Sequence, residues 1–456
     1  MAESPRPRVA ALALAVGVVL ADSSIVVLAL PEIYRDFDTS VSGVTWVLVS
    51  FNLVIALAAV PAALFARRVG PGRTAAVGLA IFAGAGLACG LSDQLSTLIL
   101  ARCIQALGGA AAVTAALELL PATVGSERRA ATVWAAAGAT GAALGPAVGG
   151  ILTELVSWQS IFLIQVPVAL AAAVPILSVA KHEAATGIIE AEVRQTGKPH
   201  LWANLALAMV SAAIAAALFL LVLLLIEGWR LSPIEAALVV SVMPLAAILG
   251  SRLAERVGDT RSRAAAGAIL VSGGLAGLAF LPKATIVLTI PPQILVGLGL
   301  SLVLSALTET ALHGRSPQAI HGGWTISSRH AGVVIGLLAL TPIFTAEIDQ
   351  QRHDAIDAGT AVILDSPIDP LLKLDLAQKV SDQLEREKGK VPTIEPAFEP
   401  KPEDPGQRAE VEQLQGELQD QLDRGATHAF STSFILAALL GLIALFPIGL
   451  SRRVDL

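Results

Sequence analysis

The sequence predicts an all-α membrane protein. It should have twelve transmembrane helices in two six-helix, pseudo-symmetric halves, with a large extracytoplasmic helical loop between helices 11 and 12. Three observations carry this. Of 456 residues, 54% are hydrophobic and 15% charged, against about 25% charged in soluble domains. Apolar runs of about 20 residues, long enough to cross a bilayer as helix, recur along the chain. A basic phrase occurs twice between such runs, as Ala-Arg-Arg-Val-Gly-Pro-Gly-Arg at 66–73 and Ala-Glu-Arg-Val-Gly-Asp-Thr-Arg at 254–261. In lipid only helices or closed barrels satisfy the backbone, and these runs are too long for barrel strands. A repeat of this length implies a duplicated helical unit.

The spans are expected near 9–30, 43–64, 74–92, 96–120, 130–152, 160–180, 201–226, 234–251, 263–281, 284–311, 323–344 and 429–450. The first follows a short basic tail with Arg6 and Arg8. It contains Asp22 and precedes no small-residue cleavage pattern, so it is expected to be retained rather than removed as a signal peptide. The halves are then 1–180 and 201–456, joined by a cytoplasmic linker at 181–200. Basic charge sets the sidedness. One set of alternate loops and ends holds Arg67, Arg68, Arg73, Arg128, Arg129, Lys181, Arg194, Lys198, Arg252, Arg256, Arg261, Arg263, Arg315, Arg452 and Arg453. The other short loops hold little beyond Arg35, Arg230 and Lys283. The first set is predicted to be cytoplasmic, with both termini inside, as suits a bacterial cytoplasmic (inner) membrane. Trp46, Trp158 and Trp229 fall at predicted outer ends and Trp134, Trp202 and Trp324 near inner ends, as an aromatic belt requires.

Residues 345–428 differ from the rest. They carry 19 Asp and Glu against 9 Lys and Arg, net −10, while the remaining chain is net +4. Leu372, Leu376, Val380 and Leu384 recur at helical spacing, as do Val411, Leu414, Leu418 and Leu422. Between them Pro392, Pro396, Pro400, Pro402 and Pro405 forbid regular helix. The expectation is two amphipathic helices joined by an extended linker. This is either a plain connection or a cap that receives substrate or an extracytoplasmic protein partner.

Four segments, Leu20–Pro31 in helix 1, 63–73 in the first hinge, Arg102–Ala110 in helix 4 and Gly141–Gly150 in helix 5, resemble the major facilitator superfamily, and within it the drug:proton antiporter-2 family. Helix 1 reads Leu20-Ala21-Asp22-Ser23-Ser24-Ile25-Val26-Val27-Leu28-Ala29-Leu30-Pro31, similar to that family's Leu-Asp-x-Thr-Ile-Val-Asn-Val-Ala-Leu-Pro. Residues 63–73 resemble the superfamily's Gly-x-Leu-Ala-Asp-Arg-x-Gly-Arg-Arg loop. Arg102-Cys103-Ile104-Gln105-Ala106-Leu107-Gly108-Gly109-Ala110 is similar to Arg-x-x-Gln-Gly-x-Gly-x-Ala. Gly141, Gly145, Pro146, Gly149 and Gly150 match the antiporter motif of helix 5. The resemblance covers the membrane part and not the acidic loop. It implies a proton-coupled exporter of amphiphilic or hydrophobic compounds of the multidrug efflux type. Members often have fourteen spans, but residues 181–200 are polar and leave room for none, which favours twelve. The loop also departs from the pattern, with Arg67 where an acid is usual and Ala63 and Ser251 in place of the opening glycine.

Intramembrane charges are costly and face a bundle interior with a partner. Asp22 and Arg102 fall at similar depth and are expected to meet. A carboxylate that can exchange an arginine for a proton is what proton coupling needs; a permanent ion pair that locks helix packing is the alternative. Gln105, three residues past Arg102, shares its helical face, and Asn52 and Gln165 are expected to line the same cavity. At the inner ends, Glu118 is expected to pair with Arg67, Arg68 or Arg73, and Glu309 with Arg256 or Arg261. Glu255 shares the second hinge, and Arg329 is placed beside this network as a gate residue. His330 is read as a polar residue at the interface. Gly141 and Gly145, echoed 191 residues later by Gly332 and Gly336, permit close helix approach; Pro146 bends its helix.

Together these features predict a secondary transporter working by alternating access. The expected partners are protons, membrane lipids and a small-molecule or lipid substrate, with no nucleic acid and no cofactor. Aromatic residues are only 4%, which suits lipid or envelope metabolites as well as drugs. A non-transporting scaffold or sensor acting through the outer loop is the competing class. No nucleophile–base set or metal spacing suggests an enzyme. Cys89 and Cys103, both in apolar runs, read as small buried hydrophobes.

Overall fold

The computed structural model describes residues 5–186, 197–254, 257–281, 285–366, 368–386, 393–399, 401 and 403–451. Among the described residues twelve helices are long and apolar enough to cross a membrane. Span 1 is Arg6–Asp36, span 2 Val41–Val69, span 3 Pro71–Gly90, span 4 Leu95–Val124, span 5 Arg129–Leu155 and span 6 Ser160–Val179. Span 7 is Leu201–Gly228, span 8 Pro233–Arg252, span 9 Thr260–Ala279, span 10 Ile286–Leu312, span 11 Gln318–Gln351 and span 12 lies within Pro405–Leu450. Every expected span is present. The linker positions 187–196 and the hinge residues Glu255 and Arg256 lie outside the described residues.

Polar residues at the helix starts fix where the spans begin, because the first amide groups of a helix lack carbonyl partners. Gly43 N–H donates to Ser40 Oγ at 3.1 Å, and Ser262 N–H to Asp259 Oδ1 at 3.3 Å. Span 8 opens with a reciprocal capping box between Ser232 and Glu235. His200 caps span 7, its Nδ1 accepting from Ala203 N–H at 3.2 Å. Burial, with Arg315 nearby, holds that imidazole below its ordinary pKa, which favours the neutral form that can accept.

The duplication is visible in the packing. A Cβ at Gly141 would lie 2.2 Å from the Gly17 carbonyl oxygen, and one at Gly332 would lie 2.0 Å from that of Ala208. Gly17 and Ala208 are also 191 residues apart. So span 5 packs on span 1 as span 11 packs on span 7. Gly108 meets the Gly78 carbonyl at 2.5 Å and Gly299 the Gly267 carbonyl at 2.6 Å by the same measure, tying span 4 to span 3 and span 10 to span 9. These are the small-residue contacts that let membrane helices approach without a hydrophobic drive.

The helix of span 11 continues without a break to Asp365, 48 residues in all. A separate helix runs Pro370–Arg386. A short 3-10 turn at Glu395–Phe398 follows, and the helix Pro405–Ile443 then leads into span 12. Leu376, Val380, Leu384, Val411, Leu414 and Leu418 are buried together, so both predicted apolar stripes face one small core. The proline-rich linker contributes Ala397 and Phe398, and the extension of span 11 contributes Ile363. The expectation of two helices is therefore short by one. The extension of span 11 was missed because its polar composition ends the apolar run that marked the span. We call residues 352–428 the cap, and name the two ends of the bundle by it: the cap end and the hinge end.

The tryptophans form only part of a belt. Trp46 and Trp324 are exposed, at 44% and 41%, but Trp134 and Trp158 are buried. Trp158 Nε1 donates to Asp36 Oδ2 at 2.8 Å, and Trp134 Nε1 to the Val113 carbonyl at 3.2 Å. Each tip found a protein acceptor, so these rings serve packing rather than the interface.

Candidate functional site

Asp22 on span 1 and Arg102 on span 4 meet in the interior of the first half. Arg102 Nη1 donates to Asp22 Oδ2 at 2.6 Å, and both side chains have no exposed surface. The same Nη1 also reaches Gln105 Oε1 at 2.8 Å, and Nε donates to the Val47 carbonyl of span 2 at 3.3 Å. The guanidinium carbon sits 4.0 Å from the Phe51 ring centre and 5.5 Å from that of Phe162. Arginine therefore has an acidic partner and, beside it, neutral ones: an amide, a carbonyl and two ring faces.

The cluster is only partly satisfied. Among the described residues Asp22 Oδ1, Arg102 Nη2, Gln105 Nε2 and Gln165 Oε1 lack a hydrogen-bond partner. Buried polar atoms are rarely left so, and each such group costs about 1–3 kcal/mol. Unmet donors and acceptors around an ion pair mark a place where the bonding can change. Cys89, expected to be a plain buried apolar group, is buried but also lies 3.7 Å from Gln105 Oε1 through its sulfur. Both cysteines are free. Gln165 Nε2 donates back to the Ile161 carbonyl at 2.9 Å.

Asn52 lies one residue beyond Phe51, and its Oδ1 is 2.6 Å from His330 Nδ1 on span 11. That contact joins the two halves. His330 is thus not the interfacial residue expected from sequence. The helix of span 11 starts at Gln318, five residues before the predicted start. His330 and Arg329 consequently stand about 16–18 Å into the helix at 1.5 Å per residue. That depth separates Arg329 from the hinge-end network in which the sequence reading had placed it.

At the hinge end Arg67 Nε lies 3.6 Å from Glu118 Oε1, with the side chains 19% and 15% exposed. Arg68, Arg73 and Arg261 are exposed. Glu309 pairs with Arg263 rather than with Arg261. Arg263 sits on the first turn of span 9, and its guanidinium meets Glu309 of span 10. Among the antiporter-motif residues, Gly141, Gly145 and Gly149 abut Gly17, Ser24 and Ile25 of span 1. Gly150 faces the other way. A Cβ there would be 2.4 Å from Ala237 Cβ and 2.5 Å from the Pro233 oxygen, both on span 8 of the second half.

Among the described residues, twelve spans form two matching halves, with this pair between spans 1 and 4. The Major Facilitator Superfamily description matches residues 12–341. The chain belongs to the major facilitator superfamily. It is 36% identical over 172 residues to the tetracenomycin C resistance and export protein of Streptomyces glaucescens, covering 37% of this chain and 32% of that protein. It is 35% identical over 169 residues to the drug efflux pump JefA of Mycobacterium tuberculosis, covering 36% and 33%. The chain thus spans about a third of the length of these relatives. Against the methylenomycin A resistance protein of Streptomyces coelicolor identity is 33% over 250 residues, covering 53% and 49%. Among solved structures, a bacterial homologue of the human lysosomal transporter Spinster superposes over 100% of this chain and 98% of its own, with TM-score 0.64 and 17% identity. At that identity the likeness is one of fold.

Sequence reasoning found the charges of the site because charge is rare in an apolar run. It missed Phe51, Phe162 and His330. The two rings lack a signal of their own, since a phenylalanine in a membrane span is equally at home against lipid. Arg102, which must be covered when buried, was the only pointer to them.

Proposed function

We propose that this protein is a proton-coupled exporter of amphiphilic or hydrophobic compounds, working by alternating access. The observation that carries this is the buried Asp22–Arg102 pair with its unmet Asp22 Oδ1. A proton arriving on Asp22 would cancel its charge and weaken the bond to Arg102. Arg102 keeps Gln105, the Val47 carbonyl, Phe51 and Phe162 as company, so the cluster can lose the ion pair without expelling the cation. Protonation then changes how span 1 is held against span 4. Span 1 also carries the glycine seam with span 5. One charge crossing 100 mV supplies about 2.3 kcal/mol, enough to drive uphill export. The resistance and efflux functions in the relatives' names support the same reading.

On this reading the protein lies in the bacterial cytoplasmic membrane with both termini in the cytoplasm, as the arginine-rich loops indicate. The hinge end is then the cytoplasmic side, with Arg67–Glu118 and Arg263–Glu309 as gate pairs. The cap is extracytoplasmic and is where an envelope partner would sit. The substrate path runs between the halves past Asn52, Gln105 and Gln165. One observation favours aliphatic or lipid-like cargo over flat aromatic cations. The faces of Phe51 and Phe162 nearest the site are taken up by Arg102, so they are not free to stack on a ligand.

The test is Asp22→Asn in reconstituted vesicles, with an imposed proton gradient and a panel of dyes, antibiotics and lipids. Proton-driven export should vanish while the variant still purifies as a folded monodisperse protein. Wild-type coupling in that variant would overturn the proposal.

A further inference from the structure

Span 7 does not end as an ordinary helix. Leu224–Gly228 are wound as a π-turn, with Trp229 N–H bonded to the Leu224 carbonyl at 2.7 Å and Leu231 N–H to that of Leu225 at 2.9 Å. Such turns are rare and concentrate at functional positions. Arg230 follows with φ +55°, a conformation that residues with a Cβ adopt sparingly. Its side chain accounts for its place. Nη1 donates to Glu395 Oε1 at 2.6 Å, and Nη2 to Thr393 Oγ1 at 2.8 Å and Gln419 Oε1 at 3.2 Å. These three partners belong to the cap. Trp229 Nε1 adds a bond to Thr427 Oγ1 at 3.1 Å, where the cap descends into span 12.

The same short segment also holds the two halves together. Glu227 Oε1 lies 2.9 Å from Arg35 Nη2, at the end of span 1 in the first half. Ile234 N–H donates to Glu154 Oε2 of span 5 at 2.8 Å. Beside it Gly150 of span 5 lies against Pro233 and Ala237. Residues 224–235 are therefore at once the seat of the cap and one side of the latch that closes the cap end.

We propose that Arg230 is a positioning residue that couples the cap to this latch. Glu227, in the π-turn, and Arg230, just past it, are three residues apart, and the Trp229 N–H bond to the Leu224 carbonyl ties the segment between them back onto the turn. Holding Arg230 against Glu395, Thr393 and Gln419 fixes the turn in the winding that aims Glu227 at Arg35. Release of the cap frees the turn to rewind and draws Glu227 from its partner. Coupling of this kind is reciprocal: opening the latch must loosen the cap, and whatever binds the cap biases the opening. The inference rests on the alternating-access reading above and adds the element through which the cap enters it.

The test uses the pair Ser42 and Thr345, whose hydroxyls meet at 3.5 Å across the halves at the same end. In the full-length protein in vesicles, Ser42→Cys with Thr345→Cys should cross-link readily while the cap end is closed. Glu227→Gln should lower the yield directly. Arg230→Ala should lower it about fivefold, the smaller end of the usual range for coupled sites, and Arg230→Lys should recover part of it. Glu395→Ala combined with Thr393→Ala should do the same from the cap side, without touching the turn. This guards against misfolding of the Arg230 variants. If Glu227→Gln lowers the yield while Arg230→Ala and the cap-side double variant leave it unchanged, cap and latch are independent and the inference fails, with alternating access intact. An unchanged yield in every variant removes the latch and the inference with it. Absence of transport in the parent protein, by contrast, counts against the exporter reading alone.

Discussion

Asn52 Nδ2 donates to the Leu48 carbonyl at 2.8 Å, which leaves Oδ1 to accept from His330 Nδ1 at 2.6 Å. The bond fixes the tautomer of His330 and stitches span 2 to span 11 near mid-depth. Span 2 also supplies Val47 and Phe51 to Arg102, so one helix carries both the arginine site and the contact between halves. A double-mutant cycle of Asn52→Leu and His330→Leu, read by denaturation in mixed micelles, should give a coupling energy of about 0.5–1.5 kcal/mol. Additive single effects would show that the two side chains do not bond. At this scale the sequence exposed what composition makes conspicuous. Asp22 and Arg102 stood out because an apolar span tolerates few charges. His330 did not, because a five-residue error in the helix start moved it from mid-depth to the interface. The Glu309 partner was legible as an arginine of the second hinge, but not as Arg263, since spacing alone does not say how far a long side chain reaches.

The glycine-rich face of span 5 divides its work between two neighbours. Gly141, Gly145 and Gly149 meet span 1 within the same half, whereas Gly150 meets span 8 of the other. The consequences of adding a methyl group should divide likewise. Gly141→Ala pushes against the Gly17 carbonyl, a backbone group that cannot rotate away, and should cost about 1–3 kcal/mol of stability by overpacking. Gly150→Ala wedges the halves apart at the cap end and should instead shift the closed–open balance. Its signature is weaker cross-linking of Ser42→Cys with Thr345→Cys at nearly unchanged melting temperature. Equal loss of stability in both variants would mean that Gly150 is only another packing glycine. Spacing placed these glycines on one helix and pointed to close approach. It did not reveal that the adjacent pair 149 and 150 must look in different directions, although successive helical residues are always about 100° apart. The π-turn at 224–228 had no sequence signal, because Leu-Leu-Ile-Glu-Gly is compatible with ordinary helix and its Glu227 partner, Arg35 of span 1, is remote in sequence.

At the scale of the whole molecule, the buried apolar side chains of the described residues fall into separate clusters, whose boundaries say which surfaces a movement has to part. One cluster joins both halves toward the cap end, with Val26, Leu30, Val41 and Phe162 from the first and Leu221, Val240, Phe344 and Phe430 from the second. A second lies mainly within the first half, reaching Ala319, Ile320 and Ile326 of span 11. The third is the cap alone. Opening the cap end therefore has to part apolar surface as well as the Arg35–Glu227 latch, whereas the cap's own core is untouched by that movement. A cluster with no shared members can unfold by itself. The cap should then behave as a unit that is rigid while its core is intact and lost as a whole when it is not. Leu414→Ala removes a buried side chain, 3% exposed, from the middle of that core and should cost the cap about 2–5 kcal/mol. Hydrogen exchange should report this as faster exchange throughout Pro370–Arg386, a helix whose own sequence is unchanged, with protection of spans 1–10 unaltered except at the Arg230 turn and the end of span 1 that it latches. Since spans 11 and 12 run into the cap as unbroken helices, their membrane portions should stay protected while their extensions fray. Exchange confined to the turn around Leu414 would show that the cap helices stand independently. Loss of protection in spans 7 and 8 beyond the Arg230 turn would show that the cap core and the membrane core are one.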